Sequence, residues 1–391
     1  MSFNSPAGYY LVGNEVFVHK LMALVRASEL KVPLTWHYYD EVFENYNTSL
    51  ITGSIDVREL YKQRALQLRE TYDYLILNYS GGIDSWTILH TFLSNNIKLD
   101  QILVKWPMKA MDKGWYTPND KDKTAYNSVS EWDLVLKHDL AWLAQTHPEI
   151  KIEIVDWLDN LSSEKMDDAI IESTNLHRFY LSNLIRVPKV SNIASSPELA
   201  GKRIASILGI DKPQIVEKEN KCYFYFSDLQ FLTQEPTTES MVTTEHFYWT
   251  PKMPELTIKQ SYKIFTWYKS NSAFRTLIKA PSEQSKIKEW TLPVWYTNLE
   301  DKTSLTKMII YPDWDFSRFQ ALKPVPMVTT LENSASPKDI WLEKHLPMYK
   351  LKQEWAYHWK SYAQAISPEY LMPGTNQPRS IHSRWFYLGN F

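Results

Sequence analysis

Residues 74–89 read Y-L-I-L-N-Y-S-G-G-I-D-S-W-T-I-L. The apolar run Tyr74-Leu75-Ile76-Leu77 has the length and composition of a buried strand. Beyond Ser80-Gly81-Gly82-Ile83-Asp84-Ser85 the period changes: Trp86, Ile88, Leu89, Phe92 and Leu93 recur at helical spacing. A glycine turn therefore sits between a strand and the start of a helix. That geometry aims backbone N–H groups and the positive end of the helix at one spot, which suits an anion such as phosphate. Gly81 and Gly82 permit close backbone approach, and Ser80 and Ser85 add hydroxyls. Asp84 adds a carboxylate, a candidate Mg²⁺ ligand beside phosphates.

Outward from this stretch, two strand–helix–strand units follow in succession. Gln101 to Trp106 predicts a second strand, Ser130 to Thr146 a helix, and Lys151 to Trp157 a third strand. Such a run argues for an α/β fold with a parallel, doubly wound sheet, whose ligand lies beyond the carboxyl ends of the strands. Residues 160–187 and 196–208 read as further helices, with Gly209 as the stop of the second, and Cys222 to Phe226 as a strand. Upstream, Gly13-Asn14 between Tyr9–Val12 and Glu15–Val18 signals a hairpin. His19 to Leu30 and Asp56 to Tyr72 read as helices, and Thr35 to Asp40 as a strand or an edge loop.

The six residues Ser80-Gly81-Gly82-Ile83-Asp84-Ser85 resemble the S-G-G-x-D-S loop of the PP-loop ATP pyrophosphatases, in the expected strand–turn–helix context. The resemblance implies a parallel sheet of the PP-loop (HUP-like) type and cleavage of ATP between the α and β phosphates. It implies ATP and Mg²⁺ as ligands. Residues Ser80 to Ser85 would hold the nucleotide, Asp84 the metal, and Val104 and Lys105 at the end of the second strand the adenine. For Val104 to Trp106 an ordinary core strand is an equal alternative. The catalytic set expected on this basis is Asp84, Arg178 and Lys212, with Arg186, Lys189, Lys202 and Arg203 as further basic candidates. A lysine-rich stretch at 107–127 has the length of a lid, and its Lys109 and Lys113 have the reach to phosphates.

Absences narrow the chemistry. The single cysteine, Cys222, excludes a disulfide within the chain and the four-cysteine zinc site of the deazaguanine synthases. It lies far from the C-terminus, unlike the cysteine of sulfonucleotide reductases. The S-G-E-G-x-D segment of asparagine synthetases is missing, as is an N-terminal glutaminase cysteine. What remains is an adenylating enzyme of the asparagine synthetase or lysidine synthetase kind, which activates a carboxylate or carbonyl oxygen for attack by an amine. A base-modifying enzyme on nucleotides or nucleic acid, a sulfonucleotide reductase-like protein and a non-catalytic ATP- or AMP-binding module stay open. An unfamiliar second half also fits a viral (phage) or mobile-element member.

The chain has 391 residues, of which 44% are hydrophobic, so a substantial core is available. The net charge of −2 gives no overall basic field for nucleic acid. No signal-like or membrane-length segment stands out, which predicts a soluble cytoplasmic protein acting on a small molecule or nucleotide; oligomeric state is open. The Thr-, Glu- and Pro-rich stretch at 233–245 predicts a division into an N-terminal extension (1–70), an ATP-binding domain (71–232) and a mostly helical, Trp-rich domain (246–391) that closes over the site. Pro337 to Ile366 reads as its longest helix, and Asp313 and Asp315 as a solvated turn or a metal pair.

Overall fold

The computed structural model describes residues 8–47, 55–106, 108, 132–155, 196–209, 213–228, 242–280, 302–314, 359–371 and 378–391. The strand–turn–helix expected at 74–94 is present as β4 (Tyr74–Asn78) and α4 (Ile83–Ser94). Downstream follow β5 (Gln101–Lys105), α5 (Lys137–Thr146, entered through a π-helical turn at Trp132–Leu136) and β6 (Lys151–Val155). Strands β7 (Ile204–Leu208) and β10 (Val242–His246) complete a five-stranded sheet of order β10-β7-β4-β5-β6. Every pairing in it is parallel. The chain builds outward from β4 to β6, then returns to the other flank of β4. A switch point therefore falls between β4 and β7, the position where doubly wound sheets bind ligands.

The register alternates as strand geometry requires. Leu75, Leu77, Ile102, Val104, Ala205 and Ile207 face the main core, which they share with Leu68 of α3 (Val57–Thr71), Ile88, Leu89 and Phe92 of α4, and Leu140 and Leu143 of α5. Burying each of the larger aliphatic chains contributes about 1.5–3 kcal/mol. The opposite face carries Ile76, Leu103, Val155, Ile204 and Val242, which pack with Leu199 in a second cluster. The helix expected at 160–187 lies outside the described residues. One helical layer on a parallel sheet, an α/β fold, is what the described residues establish.

The segment 196–208 is not a helix. It is a short 3-10 turn at Pro197–Leu199 followed by β7. Leu199, Ile204, Ile207 and Leu208 match a helical period, but Gly201 adopts φ +77°, which breaks any helix there. The remaining five-residue apolar run between Gly201 and Gly209 has strand length. Gly209 ends a strand, not a helix.

Antiparallel pairing joins the chain's extremities to this body. β1 (Tyr9–Val12) and β2 (Glu15–Phe17) form the expected Gly13-Asn14 hairpin, and β3 (Leu34–His37) pairs with β1, so the 35–40 stretch is a strand as far as His37, with Asp40 already in a helix. A third sheet runs β8 (Gln214–Lys218), β9 (Lys221–Tyr225) and β11 (Phe386–Asn390), in order β11-β9-β8. Cys222 on β9 forms no disulfide and is fully buried, as a small apolar residue would be. The composition shift at 233–245 marks no division in the hydrogen bonding: β10, at its end, is a strand of the parallel sheet, and β11 pairs with a strand from before it. The main core likewise runs from Tyr10 to Leu388. Helices α1 (Lys20–Leu30), α2 (Asp40–Glu44), α6 (Pro254–Ser270) and α7 (Lys302–Ile310) complete the numbered elements. Of the helix expected at 337–366, only 359–366 is described, and it is helical over 359–364.

Candidate functional site

The loop Ser80–Gly82 lies at the carboxyl end of β4. Its base is tied to the flanking strands: Asn78 Nδ2 donates to Ser206 Oγ (2.8 Å) and to the Ile207 carbonyl (3.1 Å) on β7, and Tyr79 N–H donates to the Leu103 carbonyl (2.9 Å) on β5. Gly81 turns the chain with φ +72°, and a Cβ there would stand 3.1 Å from both Leu136 and Val135. Gly209, leaving β7, packs against the start of α4; a Cβ on it would be 3.2 Å from the Asp84 carbonyl carbon and the Ser85 nitrogen. Glycine at 209 thus lets the chain leaving β7 approach the backbone of α4, and glycine at 81 lets the loop turn against the Leu136 and Val135 side chains.

Helix α4 begins at Gly82, with no side chain capping its first turn. The two serines instead brace the loop. Ser85 Oγ donates to the Gly82 carbonyl (3.1 Å), accepts from Ser80 N–H (3.2 Å) and meets Ser80 Oγ (3.2 Å), which accepts from Gly82 N–H (3.3 Å). The start of α4 carries about half a positive elementary charge. Asp84 in the first turn opposes that charge, a stabilising placement on its own account.

Asp84 is held from three sides. Tyr311, just past α7, donates its hydroxyl to Asp84 Oδ1 (2.6 Å), and Lys307 Nζ on α7 stands 3.6 Å from Oδ2. Tyr248, just past β10, donates its hydroxyl to the Asp84 carbonyl (2.8 Å). Burial, reinforced in Tyr311 by the neighbouring Asp84 charge, pushes both phenols well above their ordinary range, so both stay protonated donors. Behind them Tyr61 of α3 donates to the Ile310 carbonyl (2.8 Å) and accepts from Gln260 of α6 (3.0 Å). Trp86, next on α4, meets Trp314 edge-on at 5.1 Å between ring centroids. The Asp84 carboxylate itself remains 21% exposed.

Ser80 to Ser85 thus lie together at the expected place. Val104 is fully buried in the core, Trp106 is buried and stacks on Trp132 at 6.0 Å, and Lys105 is exposed at the end of β5. Arg178, Lys212, Asp156, Arg186, Lys189, Lys109 and Lys113 lie outside the described residues. Lys202 and Arg203 precede β7 and sit at the amino ends of the strands, opposite the loop. Arg203 pairs with Asp73 (3.1 Å), and Lys202 lies over the Tyr74 ring (5.9 Å). A five-residue strand spans about 16 Å, too far for either cation to serve the loop. Asp313 is committed to Arg58 (2.8 Å); Asp315 lies outside the described residues.

The side chains that sequence reading passed over are Tyr248, Lys307 and Tyr311, and with them Gly209. Only Gly209 carried a local signal, as the residue that closes the apolar run of β7. Among the described residues no group of three His, Cys, Asp or Glu side chains gathers to hold a metal. A cavity of about 350 Å³ between α3 and the start of α6, lined by Leu60, Gln63, Gln67, Met253 and Glu255, shares no residue with this constellation. No helix among the described residues is long and apolar enough to cross a membrane. Compared with protein-family models, with curated proteins and with solved structures, the chain matches none of them.

Proposed function

We propose that the chain is an ATP-dependent adenylating enzyme of the PP-loop kind, which splits ATP into AMP and pyrophosphate. In doing so it activates a carboxylate or carbonyl oxygen of a small molecule or nucleotide for attack by an amine. The observation that carries this reading is the place of the S-G-G-I-D-S loop. It sits at the switch point of a parallel sheet, at a helix start with no side-chain cap.

The residues present fit the phosphates. Backbone N–H groups of the loop and the first turn of α4 would face them, with the serines keeping the loop in shape. Lys307, beside Asp84 Oδ2, supplies a side-chain cation there. Arg178 and Lys212 keep their proposed part as further cations. Mg²⁺ brought by the nucleotide would meet Asp84 and would neutralise the departing pyrophosphate. Lys105, exposed at the end of β5, and the backbone at Val104 are the proposed adenine contacts. The second half of the chain then serves to complete the site.

The test is pyrophosphate release from ATP and Mg²⁺ across a panel of carboxylates, amines and nucleic acids, with nucleotide products identified by mass. Asp84→Ala is expected to abolish most turnover; full turnover in that variant, or release of ADP and phosphate, overturns the reading.

A further inference from the structure

We propose that Tyr311 is the positioning residue for Asp84, so that the segment 302–314, from the far half of the chain, decides how the loop carboxylate meets a metal. This rests on the nucleotide reading above and deepens it. The contact spans 227 residues of sequence. Tyr311 is 1% exposed, and its ring is wedged between Tyr248 (5.5 Å) and Tyr61 (6.5 Å). Each of those rings is anchored in turn: Tyr248 through its hydroxyl on the Asp84 carbonyl, Tyr61 through Ile310 and Gln260. The phenol therefore has little freedom to leave Asp84. Its hydroxyl fixes Oδ1 at 2.6 Å, while Oδ2 is the oxygen turned to Lys307 at 3.6 Å.

Two consequences follow from that division of the carboxylate. Asp84 would offer a metal Oδ2, since Oδ1 is already held by Tyr311. Lys307 compensates the carboxylate and would have to give way to a metal at Oδ2. Hydrogen-bond partners behind a ligating group set its orientation, and losing one typically lowers metal affinity about 10–100-fold.

The full chain is titrated calorimetrically with ATP in EDTA and with ATP plus Mg²⁺. The ratio of the two affinities is the metal-dependent gain. Tyr311→Phe keeps the ring and its packing and removes only the donor. It is expected to cut the gain roughly 10-fold or more while metal-free ATP affinity stays within about 2-fold. In an Asp84→Asn background Tyr311→Phe changes nothing further, which is the mark of a residue acting through Asp84 and not through general packing. Thermal unfolding of each variant verifies that it is folded. An unaltered gain in Tyr311→Phe, or an equal further loss on adding Tyr311→Phe to Asp84→Asn, overturns the positioning role and leaves the nucleotide reading standing. Absence of ATP binding to the natural chain, with or without metal, sinks the nucleotide reading and the positioning role with it.

Discussion

Two neighbouring glycines in the loop make opposite demands, and the contrast is measurable. Gly81 has φ +72°, and a Cβ on it would lie 3.1 Å from Leu136 Cγ, Leu136 Cδ2 and Val135 Cγ1. Gly82 has φ −77° and ψ 160°, and its Cβ would meet only Ser80 Oγ at 3.4 Å, an ordinary contact. For Gly81→Ala, the left-handed backbone costs about 1–2 kcal/mol. Forcing a methyl into the contact with Leu136 and Val135 adds about 1–3 kcal/mol. Restricting the unfolded chain returns about 0.4–1 kcal/mol. The balance is a destabilisation of about 1–4.6 kcal/mol, against about ±0.5 kcal/mol for Gly82→Ala. Urea unfolding followed by tryptophan fluorescence reads both. Equal stabilities of the two variants, or a Gly81→Ala protein as stable as the natural chain, refute the argument that a left-handed turn packed on the approach to α5 shapes the loop.

Away from the site, Lys20 and Asp228 form a wholly buried ion pair (2.7 Å), with Asp228 also accepting from Tyr10 (2.9 Å) and the Ile381 N–H (2.8 Å). Lys20→Met strands that carboxylate and is expected to lose about 3 kcal/mol or more in chemical denaturation; a loss below about 1 kcal/mol contradicts the account. His246, at the end of β10, is buried and its pKa is lowered by burial to about 4. A histidine depressed in the fold is neutral there while the unfolded chain takes up the proton. Its contribution is therefore complete above about pH 6.5 and is lost as pH falls from there toward 4, with a slope of up to about 1.4 kcal/mol per pH unit. Unfolding free energies between pH 7 and 5 are expected to fall less steeply in His246→Gln than in the natural chain, and parallel curves would discard the assignment.

The half of the site that is local in sequence was legible, and the half that is not was silent. The change from strand period to helical period across residues 74–93, with Gly81 and Gly82 at the join, places the loop unaided, because every residue that shapes it lies within a few positions of it. β7 was misread because Leu199, Ile204, Ile207 and Leu208 satisfy the helical period as well as burial in a sheet; the deciding residue is Gly201, whose left-handed φ of +77° no helix interior accommodates. That single misreading also hid Gly209 as a partner of α4 and placed Lys202 and Arg203 at the wrong end of the sheet.

Tyr248, Lys307 and Tyr311 pose a different problem. They reach Asp84 across 164 and more residues, and each sits just past or within an element whose own pattern explains it as core or helix surface. Asp84 itself is ambiguous from sequence, since an acid in a helix's first turn is stabilising whether or not it binds anything. What separates the two uses is the number of groups gathered on it. A carboxylate serving only the helix end needs no partner, and burying a phenol against it restricts both side chains for a benefit that solvent would supply as well. Here Tyr311 and Lys307 meet one 21%-exposed carboxylate, and Tyr248 on the Asp84 carbonyl and Tyr61 behind it pack Tyr311 in place, which fixes the direction of the carboxylate. Direction matters to a ligand and not to a dipole. The company Asp84 keeps is assembled by the fold from chain on both sides of residue 245.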